Sequence, residues 1–221
     1  MRAFNGIKPQ DIVILLKLAA MGEIQWRHVD LANALGLSQT EISFALDRCR
    51  TAGFIDSAKK KVIKPALLEF LIHGLKYVFP AKPGPLATGI PTAHSAPPLS
   101  RMIVTSKEDP YIWPSLAGKV RGQSIEPLHE NAPLAALTDN KLHELLALAD
   151  LMRTGRTREY RLAVRELEAA LDTAENAAPP EQKREELPLE WAIQGNQPGE
   201  DRPGYGTAPF PPLPQKRRRL L

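Results

Sequence analysis

Cysteine is almost absent from this 221-residue chain, which holds only Cys49. A single thiol excludes an internal disulfide framework and any multi-cysteine zinc site, and its place in an apolar helical pattern predicts a small core residue. Long hydrophobic runs are missing as well. No stretch reaches the ~18 apolar residues needed to span a bilayer, and Met1–Gln10 lack a signal-type apolar segment. A cytosolic protein without membrane association is therefore expected. Neither a GxxxxGK loop followed by Ser or Thr nor a GxGxxG loop occurs, and the five histidines (28, 73, 94, 129 and 143) show no HExxH or paired metal spacing. Carboxylates are not gathered where two would share a reaction centre. No catalytic residue, cofactor or metal is expected, and the chain reads as a non-enzyme.

What is plentiful is proline, and it is unevenly placed. Prolines crowd into Phe79–Pro98 and again into Pro179–Pro214, which separates more regular segments from irregular ones. Charge is uneven too. The net charge is +4, and residues 1–76 alone carry 11 Lys/Arg against 7 Asp/Glu, so the basic excess sits where a polyanion would bind. A solvated basic surface with no partner accounts for the same excess equally well.

The regular pattern begins at Pro9. Proline suits the first turn of a helix and Asp11 its positive end. Ile12, Leu15, Leu16, Ala19 and Ala20 fall on one helical stripe that Gly22 ends. A second helix is predicted from Gln25 or Trp26 to Leu35, with Val29, Leu31, Ala32 and Leu35 facing inward and Gly36 supplying a tight turn. Ser38-Gln39-Thr40-Glu41 is a capping box that opens a third helix, whose buried stripe is Ile42, Leu46 and Cys49. Gly53 closes it. Phe54-Ile55, a basic turn at Ser57–Lys61 and Val62-Ile63 fit a compact pair of strands, and Pro65–Lys76 makes a fourth helix.

The order Leu31-Ala32-x-x-Leu35-Gly36-Leu37-Ser38, then Ile42 and Leu46, then Ala52-Gly53-Phe54-Ile55 resembles the helix-turn-helix of MarR-type bacterial regulators. The resemblance covers about residues 9–76. It implies a winged helix-turn-helix that binds double-stranded DNA, with the third helix in the major groove. The candidate DNA-binding residues are then Ser38, Gln39, Thr40, Ser43, Phe44, Asp47 and Arg48 on that helix, with Lys59, Lys60, Lys61 and Lys64 in and beside the wing. Gln39 suits adenine, Phe44 or the Thr40 methyl a thymine methyl, and Ser43 and Arg48 phosphates or bases. The lysines suit phosphates. The resemblance further implies a bacterial transcription regulator, a homodimeric repressor. Phe44 and Asp47 depart from the family pattern, since many relatives carry a basic residue at the position of Phe44. An apolar Phe44 leaves open a protein-interaction module, or an antitoxin-like partner encoded in the same operon, that uses the winged helix as a scaffold.

Beyond residue 78 the signals weaken. Four segments are expected: 1–78 as the DNA-binding domain, 79–137 as a Pro-rich linker or packing segment, 138–175 as a helical hairpin and 176–221 as a disordered tail. The fold class is mainly α with a small β-wing. Between residues 80 and 100 Lys82 is the only charge, so the segment either lies against a folded surface or is an ordinary spacer. His94-Ser95 sets a histidine beside a hydroxyl, yet no acid partner is placed by sequence. Tyr111-Ile112-Trp113 between prolines suits packing against the N-terminal domain or a second subunit.

Leu142, Leu145, Leu146, Ala149 and Met152 line one helix with Thr138 as its cap. Tyr160, Ala163, Leu167, Ala170 and Leu171 line the next. This pair either covers the rest of the chain or dimerises. Arg153, Arg156 and Arg158 are a candidate anion or partner site, although a helix surface laced with ion pairs is the simpler account. In the tail, Pro211–Lys216 matches a polyproline ligand pattern and Lys216–Arg219 form a basic tip.

Overall fold

A computed structural model describes residues 6–22, 24–102, 110–154 and 157–171. The chain divides into two units, Met1–Ala178 and Pro179–Leu221, and all described residues belong to the first. The expected disordered tail lies outside the described residues. The fold is mainly α with a small sheet. Among the described residues no helix is long and apolar enough to cross a membrane.

Helix α1 (Pro9–Met21) opens on the proline, and Asp11 accepts from the Lys8 amide at 2.9 Å. Its apolar surface is wider than one stripe. Val13, Ile14 and Leu18 are buried along with Ile12, Leu15, Leu16 and Ala19, because α3 packs on α1 and so does α7. A helix covered on more than one side needs apolar residues around most of its circumference, which the run Ile12–Leu16 supplies. Helix α2 (His28–Leu35) starts later than expected, leaving Trp26 outside it. Arg27 and Asp30 close the first turn through an amide hydrogen bond and an ion pair. Gly36, at φ +63°, ends α2 in the left-handed region that glycine tolerates best.

Helix α3 (Gln39–Thr51) follows, and the chain then returns through Phe54 and Ile55. In place of two strands there is a single antiparallel bridge, Ile55 to Val62. Hydrogen bonds from the Asp56 amide to the Lys61 carbonyl and from the Ile63 amide to Phe54 complete the turn. The fourth helix is segmented. Helix α4 (Lys64–Glu69) widens to one π turn at Phe70–Gly74 before α5 (Leu75–Val78).

The sheet lies in 79–137, where a Pro-rich linker or packing segment is expected. Strands β1 (Leu86–Pro91), β2 (Tyr111–Pro114) and β3 (Val120–Ser124) close on one another, with β1 antiparallel to both partners and β2 parallel to β3. So tight a closure needs residues without side chains. Gly89 pairs with both Pro114 and Val120, and a Cβ there would stand 1.9 Å from the Trp113 carbonyl oxygen. A Cβ on Gly122 would meet the Pro110 oxygen at 2.0 Å. Proline and glycine depress strand propensity, which is why alternation was not visible in the sequence.

Helices α6 (Ala132–Thr138), α7 (Asn140–Thr154) and α8 (Thr157–Leu171) complete the fold. Thr138 ends α6 and does not cap α7. That role falls to Asp139, which accepts from the Leu142 amide at 3.0 Å. The two long helices pack within the chain, α7 on α1, α5 and α8, and α8 on α4.

At the centre sits a buried polar cluster. The Asp150 carboxylate on α7 accepts from Thr92 Oγ1 at 2.8 Å, Trp113 Nε1 at 2.5 Å and Arg153 Nη1 at 2.6 Å. Arg153 also donates to the carbonyls of Phe79 and Glu126, both at 2.9 Å. Burial pushes the Asp150 carboxyl above its ordinary range, against the pull of Arg153, Thr92 and Trp113 toward the charged form.

Two stability predictions follow from these contacts. Asp150→Ala leaves the Arg153 guanidinium buried without its counter-charge, and urea unfolding should show a loss of about 3–5 kcal/mol. At the edge, Lys17 Nζ lies 2.7 Å from Asp139. Burial alone would raise the Asp139 carboxyl; the Lys17 ammonium and the Leu142 and Lys141 amides outweigh it and hold it below the ordinary range. Its contribution is therefore present above the unfolded carboxylate range and is lost as pH falls through the lowered folded value. Asp139→Asn should cost about 1 kcal/mol at neutral pH, and the gap from wild type should close on acidification below about pH 4.

Candidate nucleic-acid interface

The capping box expected at the start of α3 is present. The Ser38 amide donates to the Glu41 carboxylate at 2.9 Å, and the Glu41 amide donates to Ser38 Oγ at 3.1 Å. The Ser38 amide, with the Ser38 hydroxyl also donating to that carboxylate at 2.8 Å, holds the Glu41 carboxyl below its ordinary range. Such a cap is worth about 1 kcal/mol, and here it fixes where the first exposed turn points. Gln39 and Thr40 are exposed in that turn. Ser43 is half-buried, and Phe44 follows at 43% exposure. With Asp47 these residues share a side of α3, opposite the fully buried Ile42, Leu46 and Cys49.

Arg48 does something other than the sequence suggested. It was a candidate for phosphates or bases, but its guanidinium turns back to α1 and grips Asp11 through two hydrogen bonds, Nε at 2.7 Å among them. Asp11 is fully buried, so the pairing supplies the charge that its burial requires. The Asp11 hydrogen bonds raise the Arg48 guanidinium still further. The same neighbourhood silences the thiol next to it, since burial and the Asp11 charge push Cys49 well above the ordinary thiol range.

The basic turn is tied down from several sides. Asp56 Oδ1 accepts from the amides of Lys60 at 2.6 Å and Lys61 at 3.1 Å, so one carboxylate closes the loop on its own backbone. Lys59 adopts φ +57°, and its Nζ reaches Asp47 Oδ1 on α3 at 2.6 Å. The Lys60 ammonium lies over the Trp26 ring, 4.8 Å from its centroid. Lys61 is exposed, and Lys64 is half-buried as the first residue of α4. Asp47 also pairs with Arg50 at 3.3 Å.

The structure therefore brings Gln39, Thr40, Ser43, Phe44 and Asp47 together on α3 and sets Lys59 against them. It removes Arg48 from that face. Arg153, offered as part of an anion site, is buried in the Asp150 cluster and holds two carbonyls of its own chain. Arg156 lies outside the described residues, as does the side chain of Arg158. His94 is buried edge-on to Tyr111 at 4.7 Å, and Ser95 Oγ accepts from the Tyr111 amide at 2.9 Å. Both are spent on holding β2.

Sequence reading missed three contributors. Asp56 carried a signal in Asp-Ser followed by lysines, the composition of a side-chain-capped turn. Trp26 was absorbed into α2. Asn131 had no local signal, yet its Nδ2 donates to the Gly36 carbonyl at 2.8 Å, placing the start of α6 on the turn that leads into α3. The chain matches no protein-family model, no curated protein and no solved structure.

Arg48→Met tests the role assigned to the guanidinium. Stripping Asp11 of its partner should lower unfolding free energy by about 3 kcal/mol, read by urea titration. The Cys49 thiol, slow toward an alkylating reagent in the wild type, should react faster in the variant as opening becomes more frequent.

Proposed function

We propose that residues 1–78 form a winged helix-turn-helix that binds double-stranded DNA, in a transcription regulator acting as a homodimeric repressor. The observation that carries this reading is the juxtaposition of the exposed face of a capped helix, α3, with the lysine turn at 57–61. A helix of this kind fits the major groove with the N-terminal half toward base edges. Gln39, Thr40, Ser43 and Phe44 would then meet bases, and Lys60, Lys61 and Lys64 phosphates. In a two-fold dimer the paired helices would enter successive grooves about 34 Å apart. Helices α7 and α8, in this reading, form a hairpin that buttresses the DNA-binding domain.

A second reading draws on Phe44 and Asn131. Phe44 is exposed at 43%, and Asn131 covers part of the α2–α3 turn from within the chain. Both suit a protein-interaction module, such as an antitoxin-like partner encoded in the same operon, with the winged helix as its scaffold.

Fluorescence anisotropy against the DNA upstream of its own gene, beside an unrelated duplex and at two salt concentrations, separates the two. Under the DNA reading the wild type binds one duplex selectively and loses affinity with salt. Lys60→Ala with Lys61→Ala should then weaken every duplex and flatten the slope of log affinity against log salt by about 2. Equal, weak binding to both duplexes would overturn the DNA reading and favour a protein partner.

A further inference from the structure

Within the basic turn, the three lysines are not equivalent. Lys59 spends its ammonium on Asp47 at 2.6 Å, and its side chain is 28% exposed. Lys60 keeps its ammonium at the surface over Trp26, and Lys61 is exposed. The loop's own backbone is already closed by Asp56. What Asp56 cannot do is set the loop's position relative to α3, because both partners of its bonds belong to the loop. Asp47–Lys59 and Trp26–Lys60 cross from the loop tip to the helical body, one to α3 and one to the segment before α2.

We propose that Asp47 and Lys59 are positioning residues for DNA binding: their ion pair locks the lysine turn against α3 before DNA arrives, so that Lys60 and Lys61 reach phosphate at a fixed offset from the helix. This rests on the DNA-binding reading above. It also accounts for the residue that fits that reading worst. A carboxylate on the groove-facing side of α3 repels the like-charged phosphates, and Asp47 has no place there as a phosphate contact. As the anchor of the turn it does. Holding a loop in its bound geometry lowers the ordering cost of association, which is the benefit that offsets the local repulsion.

The two accounts of Asp47 predict opposite signs. If it acts only as a charge, Asp47→Asn tightens binding, Lys59→Gln weakens it, and the double variant returns near the wild type. If it is the anchor, each single variant weakens binding by about two- to fivefold, the range expected of one exposed ion pair. The double variant then loses less than the sum of the two single losses, since both break the Asp47–Lys59 link. Both side chains lie at the surface, and thermal melts check that folding is retained.

The measurement is a double-mutant cycle by anisotropy on a single duplex at fixed salt, with 15N order parameters of residues 57–61 in the free protein as a readout independent of DNA. A loss in each single variant, less than additive in the double, with a more mobile turn in all three variants, supports the proposal. Tighter binding by Asp47→Asn, or additive losses, overturns it. Should the wild type bind no duplex, the functional reading itself falls. The order parameters then decide the anchor alone, and an unchanged turn in Asp47→Asn overturns that as well.

Discussion

The buried pair between Asp150 and Arg153 is the constraint on which most of the fold depends. A carboxylate and a guanidinium removed from water are costly unless every remaining lone pair and proton finds a partner, and satisfying them recruits distant parts of the chain. Asp150 takes its other donors from Thr92 and Trp113, so the sheet must lie against α7. Arg153 gives its other protons to Phe79 and Glu126, so the segments entering β1 and leaving β3 must pass over the same turn of helix. One i,i+3 pair is thereby bonded to Phe79, Thr92, Trp113 and Glu126, on both sides of the sheet.

Helix α1 carries that order toward the candidate interface. It is packed by α3 and by α7, and a charged link stands on each side: Arg48 reaches Asp11 from α3, and Lys17 reaches Asp139 at the start of α7. The apolar residues between them supply the larger share of the stability, at about 1.5–3 kcal/mol for each fully buried Leu or Ile. The ion pairs fix rotation and register, because an apolar surface covered almost all round has little directional preference of its own. The face of α3 that remains exposed is thus set by contacts made on its opposite side.

At that exposed face the polar residues hold one another before any ligand is present. Ser38 and Glu41 hold the first turn of the helix, Asp56 closes the lysine loop, and Asp47 joins loop to helix. Interactions at this level of exposure are individually weak. Together they hold the loop against the helix, an ordering that the proposed DNA binding would use in place of one made on association.

Local chemistry was enough to place α1, α3, the glycine stops and the capping box, since helix periodicity and caps act over four residues and leave their mark within a short window. The burial of Cys49 followed from the same periodicity. The sheet was invisible because its closure runs on Gly89 and Gly122, residues chosen for close backbone approach and not for strand propensity. Arg48 and Arg153 were misread for a related reason. An arginine on a helix looks the same in sequence whether it faces solvent or a buried acid, and the acid lies 37 residues away for Arg48. For Arg153 the acid is only one turn away, but the carbonyls that complete its shell come from residues 79 and 126. Sequence by itself determined that α1 and α3 are helices and where each begins. Tertiary structure alone decided which charges are buried, because the cost of burying a charge is settled by partners that only the folded chain brings together.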